Sequence, residues 1–133
     1  MPLYLPDTHA VSRHMRGDDH KLSARFAAEF PQVVLSAVVL AELEFGATKT
    51  GFARHRSRLD GLLLSLPVEP FTTADAARYG ELRAALQRRG EMIGPLDALI
   101  AAQALRLGAT IVTHNLREFT RVPGLKVEDW QQP

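Results

Sequence analysis

Four carboxylates stand where residue type and spacing suit chemistry. Asp7 directly follows the apolar run Leu3–Leu5. Glu42 lies in a helical stretch, three or four residues from Val38, Val39 and Phe45, and so shares a helix face with large apolar side chains. Asp97 comes two residues after Pro95 and heads a stripe formed by Ile100, Ala101 and Ala104. Glu118 stands three residues after Asn115, beyond the apolar run Ala109–Thr113. Each has a plain alternative. Asp7-Thr8 can cap the next helix. Glu42 can face solvent or pair with an Arg. Asp97 gains about 0.3–1 kcal/mol from the dipole of a helix starting at Pro95. Asn115 and Glu118 fit the two ends of a capping box. These alternatives explain the residue types singly, but not charge on an inward face. There an uncompensated carboxylate costs on the order of several kcal/mol or takes up a proton. Drawn together without His or Cys ligands, such carboxylates make a hard-cation site suited to Mg²⁺ or Mn²⁺. Metal-assisted phosphodiester hydrolysis is the reaction class that such a site serves. Thr113 and Asn115 are placed to hydrogen-bond a ligand or a water there, with Thr8 and Ser36 as further supporting residues.

These side chains meet only if the elements between them deliver them to one edge. Leu3–Leu5 reads as a short strand, ended by Pro6, which lacks a ladder donor. Lys21–Phe30 reads as a helix, with Leu22, Phe26 and Phe30 four apart and Pro31 breaking it. Val33–Leu35 is a β-branched strand, and Ser36 is the N-cap of a helix over Ala37–Ala47. Helices over Phe52–Leu64 and Ala74–Arg89 follow, with a strand at Val68–Phe71 between them and Gly90 at the end. Pro95 opens a helix that runs to Leu107 and stops at Gly108. Ala109–Thr113 and Lys126–Val127 complete the strands. Strands alternating with helices predict an α/β fold, a central and mainly parallel twisted sheet flanked by helices on both faces. Ligands bind beyond the carboxyl ends of such strands, where Asp7 and Asn115 fall.

The 133 residues suit one domain, 1–133. Sixteen Lys and Arg against fifteen Asp and Glu leave a net charge of +1, so bulk charge selects no partner. The absence of Cys excludes disulfides, thiolate catalysis and iron–sulfur ligation. Met1–Ala10 lacks the pattern of a signal peptide, and the longest apolar stretch, Val33–Ala41, is too short to span a bilayer. A soluble cytoplasmic protein is expected, with no membrane partner. No G-x-G-x-x-G or P-loop follows any strand, which leaves a nucleotide-binding or hydride-transfer enzyme without support. Arg13, His14 and Arg16, then Arg117 and Arg121, flank the acidic positions and are candidates to grip substrate phosphates. Arg54, Arg56 and Arg58 form a further cluster, as do Arg88 and Arg89. A solvated face or an ion pair is the plain alternative for most of these, as for Arg56 with Asp60. Glu44 reads as a solvated charge. Phe45, Phe52, Leu59, Leu62 and Leu63 offer either core packing or a contact with a partner.

Leu5-Pro6-Asp7-Thr8-His9, then SAVVLAELEFG over 36–46, then Ile93-Gly94-Pro95-Leu96-Asp97 with Ile100-Ala101-Ala102, then Val112 to Phe119 with Pro123-Gly124-Leu125 and Glu128-Asp129-Trp130, stand in one order. In that order and spacing they resemble the PIN-domain ribonucleases, and within them the VapC toxins of type II toxin–antitoxin systems. The likeness runs over nearly the whole chain. It implies a PIN fold and Mg²⁺- or Mn²⁺-dependent endoribonuclease activity. It implies that Asp7, Glu42 and Asp97 match the acidic triad and Glu118 a less regular fourth position, with Asn115 supporting them. It also implies a homodimer, a VapB-type antitoxin whose tail lies in the active-site groove, and a structured RNA target, often tRNA. Pro6 departs from the aliphatic residue usual before the first Asp, and His9 stands where Asn is common. On this reading Asp7 and Asp97 bind the ion directly. Glu42 and Glu118 bind it through water or a second ion, and the products carry 3′-hydroxyl and 5′-phosphate ends. Two other readings share the carboxylates: a DNA-directed metal nuclease, and a non-catalytic PIN-like module that binds RNA or protein.

Overall fold

The computed structural model describes residues 2–131. The strands are β1 (Tyr4–Pro6), β2 (Leu35–Ser36), β3 (Val68–Glu69), β4 (Thr110–Val112) and β5 (Lys126–Glu128). The helices are α1 (Thr8–Arg16), α2 (His20–Glu29), α3 (Ala37–Thr50), α4 (Ala53–Ser65), α5 (Thr73–Arg88), α6 (Pro95–Leu107) and α7 (Leu116–Phe119). β1, β4 and β5 pair in parallel, with Leu5 opposite Ile111 and Ile111 opposite Val127. β2 and β3 form a second parallel pair. A bridge from Tyr4 to Val33 joins the pairs into the order β3-β2-β1-β4-β5. All the pairings are parallel, so each connection crosses over through helix, as the alternating pattern predicts. Leu5 and Ile111 on the inner strands are fully buried, as strands covered on both faces should be. No described helix is long and apolar enough to cross a membrane.

Several expected boundaries move, each for a local reason. β1 runs through Pro6 rather than stopping at Leu5. The Asp7 N–H donates to the Val112 carbonyl (2.9 Å) and the Thr110 N–H to the Leu3 carbonyl (2.8 Å), so the odd residues of β1 face β4. The nitrogen of Pro6 therefore turns to the side of β2, where the Tyr4 carbonyl accepts from Val34 (3.0 Å), and no β4 ladder bond is lost. Pro31 starts a short 3₁₀ turn, Phe30–Gln32, rather than simply ending α2. Val33 keeps only a bridge, and the strand falls on Leu35–Ser36. Pro70 stops β3 after two residues, short of Phe71.

Two contact systems set how the elements sit. Trp130 packs edge-on against Tyr4 (ring centroids 5.0 Å apart) and Phe26 (5.5 Å), which ties the segment after β5 to β1 and α2. The second system is polar. Gln103, fully buried in α6, accepts from the Ser36 hydroxyl (2.6 Å) and donates to the carbonyls of Glu69 (3.0 Å) and Pro70 (3.1 Å). Three residues on, Arg106 bridges buried Asp75 (2.5 Å) and Glu69 (3.3 Å). α6 is thereby clamped to the start of α3 and the end of β3. Those clamps fix the relative placement of Asp97 and Glu42.

Candidate active site

Asp7 leaves β1 at its carboxyl end and is 4% exposed. Its Oδ1 accepts from the Ala10 N–H (2.9 Å), capping α1, while Oδ2 accepts from the Thr113 hydroxyl (2.6 Å). Burial pushes its carboxyl above the ordinary range against the pull of those two bonds, and Glu42 adds to the push. The Thr113 hydroxyl in turn accepts from the Asn115 N–H (2.9 Å), so the turn after β4 is aligned on Asp7.

Glu42 projects from α3 and its Oε1 accepts from the Thr8 hydroxyl (2.6 Å). The alternative of an Arg partner is not met: among the described residues no Lys, Arg or His pairs with it. Its helix face is a groove rather than the core, since Phe45 is 68% exposed. Glu44, expected to be a solvated charge, pairs with Arg56 (2.6 Å), which also takes Asp60 as foreseen (3.0 Å).

Asp97 sits in the first turn of α6, partly buried, its carboxylate folded over Gly94 where a Cβ would lie 3.5 Å from Oδ2. Its carboxyl is pushed up to about 6, first by burial and then by the charges of Asp7, Glu118 and Glu42, with His9 opposing. Three carboxylates from β1, α3 and α7 therefore act on one from α6.

For Glu118 the capping-box alternative is not realised. Asn115 caps α7 by position but makes no side-chain cap bond. Its Nδ2 instead donates to Glu118 Oε2 (2.5 Å), so there is no capping box, and the carboxylate is turned toward the cleft and held there. Asp7, Thr8, Glu42, Asp97, Asn115 and Glu118 all line one cleft of about 380 Å³. As they stand, no three of the described His, Asp or Glu side chains are close enough to grip a single ion. The donor set still fits a hard divalent cation. It is all oxygen, each carboxylate but Asp97 is aimed by a neutral donor, and mutual repulsion is the charge pattern that a cation relieves.

The remaining expectations divide. Ser36 lies outside the cleft: its fully buried hydroxyl caps α3 at Val38 (3.1 Å) and bonds Gln103, so its support is indirect. Arg13 and Arg16 line an adjoining basin, with Asp19 and Asp18 behind them. Arg117 is exposed without an ion pair among the described residues. Arg121 is committed to the Met92 carbonyl (2.7 Å), which stops it from reaching a substrate freely. His14 is stacked on Phe26 (4.2 Å) and bonded to Ser23 (3.1 Å), a packing residue rather than a phosphate ligand. Leu59 is core, whereas Phe45, Phe52 and Leu64 are exposed. Sequence reasoning missed His114, which lines the adjoining basin with Nδ1 held by Asp129 (2.9 Å); its place two residues after the end of β4 was the available signal.

The PIN domain family model matches residues 4–125. The chain belongs to the PIN-domain family. Within that family it is 34% identical over 128 residues to the tRNA(fMet)-specific endonuclease VapC of Salmonella typhimurium, covering 96% of this chain and 97% of that one. It is 35% identical over 135 residues to Ribonuclease VapC2 of Rickettsia felis, covering 98% and 99%. In three dimensions it superposes on the VapBC2 structure from Rickettsia felis, bound to a promoter DNA fragment, with a TM-score of 0.90 at 32% identity over 97% of this chain and 99% of that one. The DNA-bound VapBC structure from Salmonella typhimurium follows at 0.87 and 33%, covering 98% and 99%. The expected PIN fold and VapC kinship are thus both found.

Proposed function

We propose that this PIN domain, spanning 1–133, is the toxin of a type II toxin–antitoxin pair: an endoribonuclease that hydrolyses RNA phosphodiesters, with tRNA as its substrate and Mg²⁺ or Mn²⁺ as its cofactor. The observation that carries the reading is the convergence of Asp7, Glu42, Asp97 and Glu118 from four elements on one cleft, with Asp97 pushed up to about 6 by burial and by the other three. The chemistry supplied by a divalent ion there is activation of water for in-line attack and neutralisation of charge on the phosphate. Asp7 and Asp97 would hold the ion directly, and Glu42 and Glu118 would complete the shell through water or a second ion. The protein's own work is orientation. Thr113 and the Ala10 N–H aim the two oxygens of Asp7, Thr8 aims Glu42, and Asn115 aims Glu118. Attack by water rather than by the ribose 2′-hydroxyl leaves 3′-hydroxyl and 5′-phosphate ends.

The reading includes a VapB-type antitoxin, a homodimer and a cytoplasmic location. An apolar groove of about 730 Å³ beside Glu42, lined by Val38, Phe45, Phe71, Leu96 and Leu99, is suited to an antitoxin segment whose tail enters the acidic cleft. Arg13, Arg16 and Arg117 are the RNA contacts.

Cleavage of total tRNA with Mg²⁺, Mn²⁺ or EDTA, beside an Asp97→Asn variant, tests the function. Metal-dependent cutting that the variant lacks is expected. Cutting of DNA alone would replace RNA as the substrate. Tight RNA binding with no turnover in either metal, from folded and antitoxin-free protein, would leave a non-catalytic binding module.

A further inference from the structure

We infer that the basin next to the acidic cleft is a subsite for the RNA phosphate flanking the scissile one, with Arg16 and His114 as its principal donors. The inference rests on the ribonuclease reading and adds to it the direction in which the strand leaves the reaction centre. The basin, about 370 Å³, is lined by Asp7, His9, Arg13, Arg16, His114 and Asn115. Asp7, His9 and Asn115 also line the acidic cleft, so the two spaces share a wall. A phosphodiester held at the carboxylates therefore has its neighbour within reach of the basin.

Charge separates the basin from the apolar groove that also adjoins the cleft. Across Glu42 the groove presents Val38, Phe45, Phe71, Leu96 and Leu99, a surface that strips water from a phosphate and returns no donor. The basin presents two guanidinium groups and two imidazoles. Asp18 bonds Arg16 through Nε (3.4 Å), Asp19 bonds Arg13 through Nε (3.1 Å), and Asp129 bonds His114 through Nδ1 (2.9 Å). None of these three partners lines the basin, so each restrains its side chain without occupying the space. For His114, with Nδ1 turned to Asp129, this leaves Nε2 as the ring atom for a ligand, and it donates to a phosphate in the imidazolium form. Preset donors lose less freedom on binding than free surface side chains. His9 lies in the first turn of α1 and His114 two residues beyond β4, both at the carboxyl edge of the sheet.

Counterion release gives the test. Each phosphate neutralised on a single strand contributes about 0.7 to the slope of log affinity against log salt. The probe is a fluorescein-labelled 12-nucleotide single-stranded RNA, titrated in EDTA with the Asp97→Asn protein and read by anisotropy across a KCl series. In that background Arg16→Ala with His114→Ala is expected to weaken binding several-fold and to flatten the slope by about 0.7 for each phosphate contact removed. Arg16→Lys restores most of the slope. Arg78→Ala on α5, away from both spaces, leaves it unchanged. The Arg16 and His114 side chains are 53% and 62% exposed, so the substitutions spare the core, and urea denaturation verifies this. An unchanged slope in the double variant overturns the subsite. If the parent protein still cuts RNA with Mn²⁺, the ribonuclease reading survives that result. If it neither binds nor cuts RNA, both readings fall together.

Discussion

Asp97→Asn should make the protein more stable while removing its activity. In the folded state the Asp97 carboxyl is pushed from 3.8 to about 6 by burial and then by Asp7, Glu118 and Glu42. A shift of one unit corresponds to about 1.4 kcal/mol, so roughly two units set a ceiling near 3 kcal/mol on the strain of keeping it ionised. The side chain is only partly buried, and solvent screens part of this, which brings the expectation to about 1–2 kcal/mol at pH 7.5. For a chain of this length that is roughly 4–7 °C in Tm. The pH dependence has a definite sign. The folded state binds this proton more tightly than the unfolded state, so stability rises as pH falls from about 7 through 6 toward the unfolded value near 4. Asp7, also raised, adds in the same direction. Urea denaturation in EDTA at pH 5.0, 6.0 and 7.5 measures both effects. The variant should exceed the parent at pH 7.5, and the gap should narrow to roughly half by pH 5 and close only below about pH 4. Saturating Mn²⁺ should reverse the order, because an ion at 100 times its dissociation constant stabilises the parent by about 2.7 kcal/mol and has lost a ligand in the variant. A variant less stable than the parent in EDTA at pH 7.5, or a gap that ignores pH, would refute the claim that these carboxylates repel one another.

Arg106→Met should destabilise by about 3–5 kcal/mol in urea melts, because it strands the buried Asp75 carboxylate. Burial pushes the Asp75 carboxyl up, but its bonds with Arg106 and the start of α5 hold it below the ordinary range. That contribution is full above about pH 4 and is lost as pH falls through the folded value, so the parent-to-variant gap narrows in acid. Gln103→Leu leaves the Ser36 hydroxyl without its acceptor and the Glu69 carbonyl without the Gln103 amide, and should cost about 2–3 kcal/mol, with Mn²⁺ affinity by calorimetry falling as Asp97 and Glu42 lose their spacing. Thr8→Val frees Glu42 and should lower kcat on tRNA roughly tenfold while Tm moves by less than about 3 °C.

What was readable in the sequence followed from periods and punctuation. α6 begins and ends as expected because Pro95 and Gly108 act on the backbone locally, the latter through a left-handed φ of 64° that ends the helix before β4. The alternation of short apolar runs with helices sufficed for a parallel sheet. What was not readable depends on residues distant in the chain. The partner of Glu42 is a hydroxyl 34 positions away, and that of Asp7 is one 106 positions away. The alignment of β1 with β4 decides that Pro6 does no damage, and no local rule about proline contains that information. His14 looked basic and is packed, because its ring meets Phe26 across α1 and α2.

For the first of the carboxylates, a helix cap and a place in the site are not alternatives. Asp7 has two oxygens and divides them between the two roles, with Oδ1 capping α1 and Oδ2 taking the Thr113 hydroxyl at the sheet edge. The cap bond keeps the side chain in one rotamer, so the structural role delivers the geometry that the site needs. The same sharing makes Asp7→Ala a poor probe of chemistry, since it removes a helix cap worth about 1 kcal/mol and leaves a buried hydroxyl without its acceptor. Asp97 has no such second role. Its carboxylate accepts no hydrogen bond among the described residues and is opposed by three like charges, which outweigh the favourable α6 dipole, about 0.3–1 kcal/mol, and the pull of His9. A charge held against both burial and repulsion, where Asn would fit the same space, is retained for what binds it. Asp97 is therefore where loss of function and gain of stability should separate most cleanly.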